Sequence, residues 1–538
     1  MEAHGGRLAV EVLQRHDVDT MFTLSGGHLF VLYDGAVQTG LRLVDVRHEQ
    51  TATFAAEGFA KVTRRLGCAA LTAGPGVTNG VSAMTAARMN GSPVVVLAGR
   101  APQARWGAGS LQELDHIPIV ASVTKTAATA TSAESIVAEV DAACRAARTP
   151  HRGPAFVDIP LDAFGPGSVE LPAVGADDTF RGERPDPDAV ARVAALVAGS
   201  ERPVLVAGGD VYWGHAEGSM RAFAEAARVP VFVNGMGRGT LPADHELAFS
   251  RARSVALQGA DLVLVAGTPL DFRLGFGRFG AARVVHLCDA AGEVAASATL
   301  AASTAGDLAA TFAALAEAGA APGKHDDWIA RLRAEEQAKR AAELPSLAAD
   351  TTPIKPARIY GELAQRIDRD AIVIGDGGDF VSYAGKLVES FHPGTFLDPG
   401  PYGCLGMGPG YALAAGVAHP DRQVVLLLGD GAIGFALGDF EALVRHGVNV
   451  TAIVGNNGIW GLEKHPMQAL FGYDVVAELS PGIRYDRVVE ALGGHGELVE
   501  APGDLGPALD RAFATPGVSL VNVLTDPADA YPRSSNLA

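Results

Sequence analysis

Short apolar runs alternate with longer stretches of helical periodicity along the whole chain. The first block carries the runs Thr20–Leu24, Leu41–Val46, Ala69–Thr72, Pro93–Ala98 and Ala155–Ile159. An amphipathic helix is predicted over Arg7–Arg15, and a long helix opens at Arg47 and runs to about Arg65. Strands alternating with helices at this rhythm predict a parallel, doubly wound sheet. A second block repeats the rhythm with Val204–Ala207, Val231–Val233, Leu262–Ala266 and Val284–Leu287, and a charged helix follows over Asp326–Arg340. A third block runs from Ile359 to about Asp526. The stretch Pro166–Asp188, rich in Pro, Gly and acids, reads as a linker, and Leu344–Pro356 as a second one. The tail Ala530–Ala538 has no periodicity.

At 538 residues the chain is too long for one core, so two to four domains are expected. Its 43 basic and 61 acidic residues give a net charge of −18, which disfavours nucleic acid and anionic membranes as partners. The four cysteines have no ligand spacing and read as reduced thiols of a cytoplasmic protein. The N-terminal residues lack a basic segment followed by an apolar one, so no signal peptide is expected. No apolar run approaches the roughly 18 residues that span a membrane.

The densest chemistry lies in the third block. Val424–Leu428 is a continuous apolar run that ends in Gly429-Asp430-Gly431. A helix is predicted over Leu437–Arg445, and a second run, Val450–Val454, ends in Gly455-Asn456-Asn457. Strand, helix, strand predicts a right-handed parallel unit, so both strands finish at one edge of the sheet. Asp430 and Asn457 are therefore expected side by side where open α/β sheets bind ligands. A carboxylate, an amide oxygen and backbone carbonyls make a hard oxygen site suited to Mg2+ shared with phosphates.

Gly-Asp-Gly, 24 residues, then Asn-Asn resembles the diphosphate-anchoring motif of thiamine-diphosphate (ThDP) enzymes. Arg47-His48-Glu49-Gln50, after a strand and opening a helix, resembles the same family's catalytic glutamate segment. The resemblance extends over the chain and implies three doubly wound parallel-sheet α/β domains. These are a pyrimidine-binding domain (1–165), a middle domain (189–320) and a diphosphate-binding domain (357–530), with a C-terminal tail (531–538). It implies ThDP and Mg2+ as cofactors, with Asp430, Asn457 and the Ile459 carbonyl as metal ligands. Gly429, Gly431 and Trp460 complete the diphosphate side. A homodimer or homotetramer follows from the family's habit of holding the coenzyme across a subunit interface.

On the pyrimidine side the resemblance assigns Glu49 to the coenzyme's ring nitrogen N1′, a role that chemically requires one carboxyl in a dry pocket. Read alone, Glu49 is also an acid well placed in a first helical turn. Gly74-Pro75-Gly76-Val77-Thr78-Asn79 is similar to the family's loop beside the coenzyme, which brings in Gly74 and Asn79, and Gly26 lies in the loop Ser25-Gly26-Gly27-His28. Leu405 falls where members carry an apolar wedge against the coenzyme. Gln112 matches a glutamine that faces the reacting ring, and His28 is a candidate proton shuttle; a lone loop histidine is otherwise a solvated side chain.

The family makes and breaks bonds next to carbonyls, and two subfamilies compete. The first block looks like acetolactate synthase large subunits. Against that, Pro466 stands where those synthases carry a tryptophan. The middle block resembles the 2-hydroxyacyl-CoA lyase and oxalyl-CoA decarboxylase group through Met236-Gly237-Arg238-Gly239, Ala252-Arg253-Ser254 and Leu274-Gly275-Phe276-Gly277. The tail Arg533-Ser534-Ser535-Asn536-Leu537 fits that group too. Arg251, Arg253, Arg273, Arg278 and Arg283 are candidate contacts for CoA phosphates in an acidic chain. The expectation is a small-molecule enzyme: a ThDP-dependent carbon–carbon lyase splitting 2-hydroxyacyl-CoA into formyl-CoA and a carbonyl compound, reversibly. The alternative is an acetolactate-synthase-type carboligase acting on a 2-keto acid, for which FAD is a candidate additional cofactor. An inert ThDP-binding paralogue is the third reading, and Glu49 argues against it.

Overall fold

The computed structural model describes residues 2–174, 182–318, 324–529 and 531. The tail read as 531–538 therefore lies outside the described residues apart from Tyr531, as does the far end of the middle block. Three six-stranded, all-parallel sheets organise the chain. The first holds β2 (Thr20–Thr23), β3 (Arg42–Asp45), β4 (Gly67–Leu71), β5 (Val94–Arg100), β6 (Thr126–Thr129) and β7 (Ala155–Pro160), in the order β3-β2-β4-β5-β7-β6. β1 (Glu2–His4) pairs antiparallel with β8 (Pro166–Ser168) beside it, so the stretch read as a linker begins with a strand.

The middle sheet holds β9 (Pro203–Ala207), β10 (Val231–Val233), β11 (Ala248–Phe249), β12 (Leu262–Ala266), β13 (Arg283–Cys288) and β14 (Ala302–Ala305), in the order β11-β10-β9-β12-β13-β14. The third holds β15 (Ile372–Asp376), β16 (Phe396–Leu397), β17 (Val424–Gly429), β18 (Val450–Asn456), β19 (His495–Val499) and β20 (Val518–Leu524), in the order β16-β15-β17-β18-β20-β19. Counted within each sheet, the first and third share one winding, 2-1-3-4-6-5. The middle sheet is wound 3-2-1-4-5-6, the order of dinucleotide-binding sheets.

The central strands are buried along their length, as their unbroken apolar runs require. Strands absent from the apolar pattern in the first two blocks, β6, β11 and β14, all sit at sheet edges. Thr126-Ala-Ala-Thr and Ala302-Ser-Thr-Ala need no apolar run, because one flank faces no neighbouring strand. The helix expected over Leu437–Arg445 begins earlier. It is built as Asp430–Ala436, a 3₁₀ turn Leu437–Asp439 and Phe440–Arg445. No helix among the described residues is long and apolar enough to cross a membrane.

One hydrophobic core runs through the first and third domains, while the middle domain has its own. The join is the helix Glu49–Thr63 lying against the helix Gly408–Ala418. Glycine allows the close approach. A Cβ on Gly58 would lie 2.9 Å from the Tyr411 Cα, and one on Gly410 would lie 2.9 Å from the Thr51 carbonyl oxygen. Within this seam Lys61 Nζ pairs with Glu57 Oε1 at 3.0 Å and donates to the Tyr411 hydroxyl at 2.8 Å. Both charged residues are essentially inaccessible.

Removing one partner of this pair leaves a buried charge uncompensated. Lys61→Met is expected to cost about 3–5 kcal/mol in urea unfolding, with Glu57→Gln added to it restoring most of the loss. A Lys61→Met protein as stable as the parent would show that the pair carries no such charge.

Candidate active site

At the carboxyl edge of the third sheet, β17 and β18 run in register with Gly429 opposite Gly455. Asp430, the next residue, is 4% exposed. Its Oδ2 accepts from the Gly458 N–H at 2.7 Å and its Oδ1 from the Gly431 N–H at 3.0 Å. Burial pushes its carboxyl up to about 6 despite those donors. A cation at this oxygen would relieve that cost.

The two asparagines diverge at the strand end, where Asn456 is the last residue of β18 and Asn457 follows it. Asn456 turns inward and donates to the Ile483 carbonyl and to Asn522 Oδ1. Asn457 lines a cavity of about 510 Å³ together with Asp430, Gly429, Gly431, Ile459 and Trp460. The Trp460 indole lies across Gly431, where a Cβ would come within 2.3 Å of the ring. Leu405 lines the same cavity.

The other candidate residues gather at the carboxyl edge of the first sheet. Glu49 opens its helix and is 8% exposed. Asn79 Nδ2 donates to its Oε2 at 3.0 Å, and the space beside its Oε1 is kept by Gly76. His28 Nδ1 and Thr72 Oγ1 are 3.3 Å apart, and Gly26 packs against the same threonine. His28 is 4% exposed, so it is not the solvated loop histidine of the plain reading. Burial lowers its pKa, with a hydrogen bond to the Leu111 backbone opposing. Gln112, in the left-handed region at φ 57°, lies over Gly74. Glu49, Asn79, Gly74, Gly26, His28 and Gln112 thus line one edge. None of them lines the cavity around Asp430, which takes its walls from the third and middle domains alone.

Four residues missed by the sequence reading hold these edges. Asp439 Oδ1 accepts from the Arg47 N–H at 2.8 Å and its Oδ2 from the Thr51 hydroxyl at 2.8 Å. The third domain therefore grips the chain on both sides of Glu49, by the Arg47 backbone and the Thr51 side chain. His116 Nε2 accepts from the Gly74 N–H at 3.0 Å, so its Nδ1 carries the proton and donates to Asp158 Oδ2 at 2.8 Å. Asp376 accepts from the N–H groups of Gly406 at 3.1 Å and Gly408 at 2.8 Å, which sets the turn after Leu405. Asp158 interrupts an apolar run, while His116, Asp376 and Asp439 stand near other polar residues, so no pattern in the sequence set them apart.

Family comparisons agree with this division. Residues 3–119 match the thiamine pyrophosphate enzyme N-terminal TPP binding domain, 190–315 the central domain and 376–523 the C-terminal TPP binding domain. The chain belongs to the thiamine pyrophosphate enzyme family. It is 55% identical to the acetolactate synthase large subunit IlvG of Mycobacterium tuberculosis, over 99% of this chain and 98% of that one. It is 32% identical to 2-hydroxyacyl-CoA lyase 2 of Caenorhabditis elegans, over 98% and 90%. With the human 2-hydroxyacyl-CoA lyase 2 it shares 31%, over 92% and 85%. The chain is thus a ThDP-dependent carbon–carbon lyase or carboligase.

The residues present fit ThDP: a buried, cation-seeking carboxylate at one edge, a buried glutamate with a free oxygen at the other, and glycines where backbone must approach a diphosphate. They do not fit a dinucleotide such as FAD at the switch point of the middle sheet. There the N–H groups of Gly208 and Asp210 are spent on the carbonyls of Ala266 and Gly267. Asp210 and Asp289 put two carboxylates where a pyrophosphate would lie, both paired with His151, at 3.4 and 3.1 Å. Burial opposes charge on that histidine, but the two carboxylates outweigh it and push it up to about 11.

Burial pushes the Asp376 carboxyl up to about 6, with the two glycine N–H donors opposing. A raised folded pKa means that the protonated form is favoured on folding. Its ionisation therefore costs stability as pH rises from the unfolded value of 3.8 to about 6, and the cost is constant above that. The melting temperature of Asp376→Asn relative to the parent is expected to rise across that window and then level off. A pH-independent difference would contradict it.

Proposed function

We propose that this enzyme uses ThDP and Mg2+ to join 2-keto acids, in the manner of an acetolactate synthase large subunit. The observation that carries this is the 55% identity to IlvG over nearly the whole of both chains, against about 30% for the lyases. That reverses the weighting drawn from the middle-block motifs. The Pro466 departure is compatible with it, because Pro466 sits in the helix Gly461–Phe471, which buries none of its residues.

In this reading Asp430, Asn457 and the Ile459 carbonyl hold the Mg2+. Gly429, Gly431 and Trp460 bound the diphosphate, while Leu405, Gly26, Gly74 and Asn79 bound the rings. When bound, ThDP supplies a carbon nucleophile and an electron sink next to the substrate carbonyl. Glu49 holds a proton for the ring nitrogen N1′, and Asn79 keeps one of its oxygens fixed. His28 is placed to move a hydroxyl proton, and its lowered pKa suits a neutral imidazole able to accept one. Gln112 offers an amide donor to developing oxyanion charge. The separation of the Glu49 edge from the Asp430 cavity within one chain supports a site completed by a second copy, and hence a homodimer or a higher homo-oligomer.

A specific observation favours the second reading, a 2-hydroxyacyl-CoA lyase. A cavity adjoining the Asp430 site is lined by Arg238, Arg251, Arg253 and Arg273. Arg278 and Arg283 do not line it; Arg283 opens β13, at the far edge of its sheet from the ligand side.

With ThDP and Mg2+ added, pyruvate is expected to yield acetolactate, and a 2-hydroxyacyl-CoA no carbonyl product. Product from the thioester alone would replace the first reading by the second. Glu49→Gln is expected to lower turnover by about 10²–10⁴-fold while ThDP still binds, measured by single-turnover kinetics. For cross-subunit sites, unfolding and refolding an equal mixture of the inactive variants Glu49→Gln and Asp430→Ala restores about a quarter of parental activity in a dimer. No restoration would place both residues of a site in one chain.

A further inference from the structure

Residues 101–116 leave the ligand end of β5 and carry Gln112 back over the Gly74 turn. Between Ala101 and His116 none of them is buried, so apolar packing does not fix the segment. Gln112 nevertheless stands at φ 57°, in the left-handed region. A residue with a side chain enters that region at a cost and stays there only where its surroundings impose it.

Polar contacts impose it here. Glu113 accepts from the N–H groups of Gly107 at 2.9 Å and Ser110 at 3.2 Å, which shapes the turn before Gln112. Arg100 donates to Asp115 at 3.3 Å and lies over the Trp106 ring at 4.0 Å. These contacts are partly exposed to water. The contact at His116 is not. His116 and Asp158 are both 0% exposed.

Asp158 Oδ2 accepts from His116 Nδ1 at 2.8 Å and from Arg100 Nη1 at 2.8 Å. The carboxylate fixes the ring proton on Nδ1 and leaves Nε2 as an acceptor. That acceptor takes the Gly74 N–H at 3.0 Å. Gly74 is also the residue on which Gln112 rests. A Cβ there would lie 3.0 Å from both the Cβ and the carbonyl oxygen of Gln112. One segment thus meets one glycine twice, by a hydrogen bond through His116 and by direct packing through Gln112.

We infer that His116, with its tautomer set by Asp158, is a positioning residue for Gln112. It ties Gly74 and the end of the segment into one frame, and that frame fixes where the Gln112 amide stands. Both of its ring nitrogens are engaged in buried contacts, so it holds its proton rather than carrying it. The inference rests on the reading of Gln112 as an amide donor to developing oxyanion charge, and not on which carbonyl reaction follows.

Two conservative variants separate the two bonds of His116. His116→Gln puts an acceptor oxygen near the place of Nε2, and His116→Asn puts a donor near the place of Nδ1. With ThDP and Mg2+ added, turnover is followed on pyruvate or on a 2-hydroxyacyl-CoA, whichever the parent accepts. His116→Asn is expected to lower kcat about 10–10²-fold with KM and ThDP affinity kept, and His116→Gln to keep most of the parental rate. Gln112→Ala lowers kcat about 10²-fold, and His116→Asn added to it changes kcat less than about twofold, because no amide is left to position. Amide hydrogen exchange read by mass spectrometry needs no turnover. It is expected to quicken over residues 72–76 and 107–113 in His116→Asn but not in His116→Gln, and melting temperatures verify that both fold. Parental kcat in Gln112→Ala would remove the reading of Gln112, and the inference with it. Additive losses in the double variant, parental kcat in His116→Asn or unchanged exchange would overturn the inference alone.

Discussion

The seam between the helices Glu49–Thr63 and Gly408–Ala418 is the constraint on which the rest of the molecule depends. It fuses the first and third domains into one core. Gly58 and Gly410 bring the two backbones together, and the Lys61–Glu57–Tyr411 cluster fixes their register. Asp439, reaching from the third domain, fastens the first turn of the Glu49 helix. The position of Glu49 is therefore set from outside its own domain. The same helix pair leads, through Met407 and Gly408, to the turn that presents Leu405, with Asp376 beneath it.

The two outer sheets share a winding, yet their ligand edges are built from different chemistry. The third sheet ends in a carboxylate and an amide, which favours a metal and phosphates. The first ends in glutamate, histidine and glycine loops braced by the Asp158–His116 pair, which favours an organic ring. The middle sheet has a dinucleotide winding without a dinucleotide edge. Its turn N–H groups are spent on neighbouring carbonyls, and a His–Asp–Asp ion cluster fills the place of phosphates. Topology alone is a poor guide to ligand, because the ligand is read by the few groups at the strand ends.

Much of the fold was legible in the chain. Central strands such as Leu262–Ala266 and Val424–Gly429 are buried on both faces, so their apolar runs are unbroken and visible. Edge strands such as Thr126–Thr129 and Ala302–Ala305 lack that requirement and were not visible. The same logic holds at the site. Asp430, Asn457 and Glu49 stand at strand and helix ends flanked by glycines or polar residues, so spacing marks them. Asp376, Asp439, His116 and Asp158 are polar residues whose partners are 30 to 392 positions away. No local pattern records such a contact.

The sequence by itself determined the alternation of strands and helices, the ends at which ligands are met, and the resemblance to ThDP enzymes. Those are local properties: an apolar run, a glycine that permits close approach, a carboxylate at a fixed offset. The tertiary structure decided which charges are answered and which are not. Arg251, Arg253 and Arg273 look alike along the chain. Two of them have carboxylate partners, while Arg253 faces Arg238 across a cavity. The difference arises because charge is balanced through space at a few ångströms, between elements that only the packed domains bring together.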